Sequence, residues 1–98
     1  MMKKTFSKNG DTCRVTFELP ANVEATSVAV VGEFNDWEKE AHPMKQRKDG
    51  RFSRTVALKA GADYRFRFWV NGSRWENAWD ADKYLPNEFG TEDSIVSI

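Results

Sequence analysis

Residues 64–75 read YRFRFWVNGSRW, and the spacing within this stretch decides the fold. Tyr64, Phe66, Phe68 and Val70 share one parity while Arg65, Arg67 and Trp69 share the other. That is the period-two alternation of a β-strand with an aromatic core face and a polar outer face. Asn71-Gly72 comes next, the favoured pair for a two-residue type I′ turn, so Ser73 to Trp75 is expected to run back antiparallel. Trp75 then lies near Trp69 and the two arginines.

The same logic extends upstream. Thr12 to Leu19 alternates Cys13, Val15, Phe17 and Leu19 against Thr12, Arg14, Thr16 and Glu18, a strand with one wet face, and Pro20 ends it. Ser27 to Phe34 is almost continuously apolar, as a strand buried on both faces would be, until Asn35-Asp36 breaks it. Lys48-Asp49-Gly50 reads as a turn, and Phe52, Val56 and Leu58 share one parity in the strand that follows. Downstream, Glu76 to Thr91 is polar and acidic with Pro86 and Gly90, hence an irregular loop, and Ser94 to Ile98 closes the chain as a short apolar strand. Short strands at regular intervals with no 3.6-residue periodicity predict an all-β sandwich of about seven antiparallel strands.

Ninety-eight residues make a single domain, 1–98, with residues 1–11 either a flexible lead or an edge strand. From its Met-Met-Lys-Lys start a genuine N-terminus is expected, whether of a complete small protein or of a larger one. Fifteen basic residues balance fifteen acidic ones, so the chain lacks the strong basic excess that phosphate-backbone binding usually shows, a local patch aside, and no nucleic-acid partner is expected. Neither a signal peptide nor a membrane span is visible, and the single Cys13 cannot form an internal disulfide; the expectation is a reduced, cytoplasmic protein.

Catalysis finds little purchase. One histidine, one cysteine and no Gly-x-Ser-x-Gly stretch leave no nucleophile-base pair. Carboxylates crowd the last loop (Asp80, Asp82, Glu88, Glu92, Asp93), but a lone sandwich of this size has little material for the desolvated cleft that a glycosidase acid needs. Asp80-Ala81-Asp82 lacks the glycine and the distal glutamate of a calcium loop. No enzyme activity, metal or cofactor is therefore expected.

The four tryptophans carry the functional argument. Singly, each of Trp37, Trp69, Trp75 and Trp79 reads as a packing residue at the end of a small sandwich. Jointly, Trp37 at a strand end and Trp75 on a hairpin can form one apolar platform flanked by Arg67. Such a surface suits a sugar, whose C–H faces stack on indole while its hydroxyls take a few fixed donors and acceptors. The competing reading makes the same indoles core or interface residues of a protein-interaction module.

Three stretches, VAVVGEFNDWEKEAHPM, GADYRFRFWVNGSRW and FGTEDSIVSI, in that order and spacing, resemble the glycogen- and starch-binding modules at the N-termini of isoamylases and branching enzymes, also found in the β subunit of AMP-activated protein kinase. The resemblance covers about residues 12–98. It implies an immunoglobulin-like, early-set sandwich that binds α-1,4-linked glucan without catalysis, in partnership with a glycogen-metabolising enzyme. It further implies that Trp37 and Trp75 stack on glucose units, and that Arg67, in the place of the family's lysine, reaches sugar hydroxyls. Phe89 stands where the family has a wedging leucine, Thr91 matches directly, and Asp93 replaces an asparagine. Trp79, in a segment that departs from the family's Trp-x-x-Asp-Pro, is either an additional stacking residue or a lid on the core.

Overall fold

The computed structural model describes residues 2–21 and 24–98, so Met1 of the lead segment falls outside the described residues. Two antiparallel sheets face each other. The first sheet has the order β1-β2-β5-β4, made of β1 (Lys3–Phe6), β2 (Thr12–Leu19), β4 (Lys45–Gln46) and β5 (Phe52–Lys59). The second has the order β3-β6-β9-β8, made of β3 (Val28–Gly32), β6 (Asp63–Val70), β8 (Lys83–Pro86) and β9 (Glu92–Ser97). A further strand, β7 (Arg74–Glu76), pairs with β6. This is the immunoglobulin-like, all-β sandwich that the alternation and the resemblance imply.

The period-two pattern assigns faces as expected. Cys13, Val15 and Phe17 of β2 and Phe66, Phe68 and Val70 of β6 are all fully buried between the sheets. Phe17 joins the two layers: its ring lies 4.8 Å from Phe66, edge-on, and 5.5 Å from Phe34, stacked. Each such fully buried ring contributes roughly 1.5–3 kcal/mol relative to exposure. β3 is buried along its whole length, because its outer residues Ala29 and Val31 are covered as well.

Three short strands go beyond the six segments picked out by pattern. β1 is an edge strand on β2, β4 is a two-residue edge on β5, and β8 lies within the stretch 76–91 that reads as an irregular loop. β8 contains Pro86 and shows no alternation of apolar residues. It is a strand because β9 offers it a ladder, with Leu85 opposite Asp93 and Lys83 opposite Ile95.

The hairpin also differs in one detail that matters. Asn71 (φ 55°) and Gly72 (φ 66°) both adopt positive φ, as a type I′ turn demands, and Ser73 N donates to Val70 O at 3.1 Å. However, Val70 pairs with Arg74 rather than with Ser73, so the loop takes three residues and Trp69 stands opposite Trp75. Had Val70 paired with Ser73, Trp75 would sit opposite Phe68 and share its core face. The extra residue places the Trp75 indole on the outer face instead.

Candidate functional site

On the outer face of the second sheet, Val31 of β3 and Ile95 of β9 are buried although they lie outside the inter-sheet core cluster. They lie under the outer side chains of β6 and its neighbours, and this apolar layer underlies the site. Above it lies a concave depression of about 630 Å³. Trp37, Arg65, Arg67, Trp75, Phe89 and Asp93 line it, with Pro86, Asn87 and Glu88 completing one wall.

Trp37 reaches this face through an unusual backbone. β3 ends at Gly32, where an added Cβ would lie 2.3 Å from the Arg65 carbonyl oxygen and 2.9 Å from Phe66 Cβ, so only glycine permits β3 and β6 to approach so closely. A 3₁₀ turn, Glu33–Asn35, follows. Asp36 and Trp37 then both take left-handed φ, 55° and 59°. Trp37 N donates to Gly32 O at 2.9 Å and Asp36 N to Glu33 O at 3.4 Å, a Schellman-type closure. A bulky residue in this region is strained, and the surroundings must over-determine it.

Asn35 supplies that constraint. Its Oδ1 accepts from Gly32 N at 3.0 Å, and its Nδ2 donates to Val30 O at 3.1 Å and lies 2.9 Å from His42 Nδ1. Because the amide donates, His42 Nδ1 accepts, which requires the neutral ring. Burial, with the Arg54 charge as the smaller cause, holds the His42 pKa below its ordinary value in agreement with that role. Phe34 anchors the turn from within, against Phe17, His42 and Tyr64. The indole of Trp37 is left 38% exposed at the edge of the depression.

The opposite wall is the β8–β9 turn, and Asn87 organises it. Asn87 Oδ1 accepts from the backbone N–H groups of Phe89 at 3.0 Å and Thr91 at 3.2 Å. Its Nδ2 donates to Thr91 Oγ1 at 2.8 Å and to Asp93 Oδ1 at 3.0 Å. The other Asp93 oxygen accepts from Arg65 Nη1 at 3.1 Å, and the same Nη1 lies 3.3 Å from Pro86 O. With both oxygens engaged and only 6% of its surface exposed, Asp93 acts as a brace between turn and sheet. The brace presents Phe89, which is 82% exposed.

Trp75 lines the depression, and Trp69, outside the lining, packs against it with ring centroids 4.7 Å apart. Lys39 Nζ stands 4.0 Å from the Trp69 ring and 5.4 Å from the Trp75 ring. Arg67 Cζ is 5.7 Å from the Trp75 ring, and the Arg67 Nε–H meets no acceptor among the described residues.

Of the seven residues singled out from sequence, five line one depression: Trp37, Arg67, Trp75, Phe89 and Asp93. Thr91 is held in the turn by Asn87 and is not part of the lining. Trp79 is 63% exposed and lies outside the depression, neither lid nor lining. Asn87 is not among the residues the sequence points to, and Arg65 is placed by the sequence only on the outer face near Trp75. Its shared parity with Arg67 carries Arg65 into the lining, whereas the role of Asn87 depends on a strand pairing that no local pattern announces. Among the described residues no three His, Cys, Asp or Glu side chains gather as metal ligands do, and no helix is long and apolar enough to cross a membrane.

Comparison with known sequences agrees with this architecture. Residues 6–85 match the family described as carbohydrate-binding module 48 (isoamylase N-terminal domain). Two proteins named 1,4-alpha-glucan branching enzyme GlgB 2, from Xanthomonas campestris pv. campestris strains 8004 and ATCC 33913, are each 44% identical over 43 residues. The match takes in 43% of this chain and 6% of either enzyme, so the chain corresponds to a small part of those relatives.

Proposed function

Because the chain belongs to the carbohydrate-binding module 48 family, we propose that the outer-face depression is its glucan site and that α-1,4-linked glucose chains are its ligand. The observation that carries this reading is the convergence of Trp37 and Trp75, far apart in sequence, on a single concave surface with Arg67 beside them. Separated indoles on a curved wall suit a coiled α-glucan better than a flat ribbon. In this reading Trp37 and Trp75 stack on successive glucose rings and Phe89 wedges against a third. Arg67 donates to hydroxyls, while Arg65, Asn87, Thr91 and Asp93 hold the wall.

Two or three stacked rings at about 0.5–1.5 kcal/mol each, with a few hydrogen bonds at about 1 kcal/mol each, must offset the entropy lost on association. The dissociation constant for a short oligosaccharide is therefore on the order of 10 µM to 1 mM. The role is binding without catalysis, in the setting of a glycogen-metabolising enzyme such as the branching enzymes to which the chain is similar.

Titration with maltoheptaose, followed by tryptophan fluorescence and with cellohexaose as control, tests the proposal. The α-glucan shifts the emission and the β-glucan does not; Trp75→Ala abolishes the shift while the protein stays folded. No response to maltoheptaose, or an equal response to both sugars, overturns it.

A further inference from the structure

Two cations flank the Trp75 ring without an acidic partner. Arg67 Cζ and Lys39 Nζ stand 5.7 Å and 5.4 Å from its centroid, and no ion pair in the described residues involves either of them. Arg65, two residues along the same strand face, differs: Asp93 neutralises it at 3.1 Å. Glu88, on the β8–β9 turn, also lines the depression but is joined to neither Arg67 nor Lys39. Arg67 is half-buried, and its buried Nε–H lacks an acceptor. A partly desolvated guanidinium with an unsatisfied donor is costly unless an acceptor completes it, and exposed Lys39 adds positive potential near the same ring.

Resting on the glucan reading above, we infer that this site prefers an α-glucan bearing a phosphate monoester, with the ester seated beside Trp75 against Arg67 and with Lys39, which stands over Trp69 outside the lining, adding to the positive field. A phosphate monoester carries about −1.5 to −2 charge near neutral pH, matching two cations, and its oxygens accept from the planar guanidinium fork in the geometry that arginine favours. The ring bearing the ester retains its stacking on the indole. A neutral hydroxyl can accept from the Nε–H but leaves the half-buried Arg67 charge without a counter-ion.

Calorimetry compares maltoheptaose with maltoheptaose monophosphorylated at a glucose 6-hydroxyl, using the native protein, R67Q, R67K and K39Q, each checked for an unaltered melting transition. The phosphorylated sugar should bind roughly tenfold more tightly at low salt, as one additional charge-assisted contact would give. This ratio should shrink as salt is raised, collapse towards one in R67Q, and fall part of the way both in K39Q and in R67K, which keeps the charge but loses the fork and the Nε–H. Equal or weaker binding of the phosphorylated sugar, with maltoheptaose still bound, overturns the phosphate preference and leaves the glucan site standing. Failure of both sugars to bind overturns both. Inorganic phosphate alone should bind far more weakly than the phosphorylated sugar; comparable binding would mean that the cations form an anion site independent of glucan and would equally defeat the inference.

Discussion

The left-handed conformation of Trp37 sets up a paired test with truncations to alanine and to glycine. Both substitutions remove the indole and the same packing, so the difference between them isolates the backbone. For an ordinary residue alanine is the more stabilising of the two by about 0.5–1 kcal/mol, since glycine loses more freedom on folding. At a φ of 59°, however, a Cβ costs roughly 1–2 kcal/mol that glycine does not incur. The order should therefore invert, Trp37→Gly exceeding Trp37→Ala by about 0.5–1 kcal/mol, or about 2–8 °C in Tm for a domain of this size. Urea and thermal unfolding of both variants read this directly. Maltoheptaose titration should find binding lost in both, because stacking depends on the ring and not on the strain. An alanine variant as stable as the glycine variant, or more so, refutes the claim that the turn is held against its preference. Retained sugar binding in either would remove Trp37 from the site.

Three other outcomes follow from the same framework. Gly32→Ala drives a methyl group into the Arg65 carbonyl and should lower stability by about 1–3 kcal/mol in urea unfolding, since backbone must move to admit it. His42 is held neutral in the fold, so its contribution is full above its unfolded pKa of about 6.5 and is lost as pH falls through the lowered folded value. The urea midpoint should drop between pH 7.5 and pH 5 more steeply in the native protein than in His42→Gln. Asp93→Ala leaves Arg65 and Asn87 without their shared acceptor; with Arg65 partly exposed, the cost in stability should be about 1–3 kcal/mol. Maltoheptaose affinity should weaken alongside, as the Phe89 wall loosens.

The core was legible because alternation is a local signal: the buried faces of β2, β5 and β6 follow directly from residue parity. Trp37 and Trp75 were legible as a pair through residue type and resemblance. What local pattern could not show was pairing. β8 is a strand only because β9 lies beside it, and the three-residue hairpin loop, which decides the side on which Trp75 emerges, is a matter of register. Asn87 illustrates the same limit. In the sequence it is one more polar residue near a proline, and its importance comes from Thr91 and Asp93 folding back upon its amide. Trp79, conversely, has the right chemistry in a segment that lies apart from the depression.

The Asn87 amide has a consequence for kinetics. Because it fixes the Phe89 backbone and braces the turn to β9 before any ligand arrives, the wall has already met its ordering cost during folding. Encounter then requires no loop closure, so arrival should be fast and weak affinity should show as short residence. On the glucan reading proposed above, such a module would move along a polysaccharide by frequent release and recapture instead of staying on one chain segment.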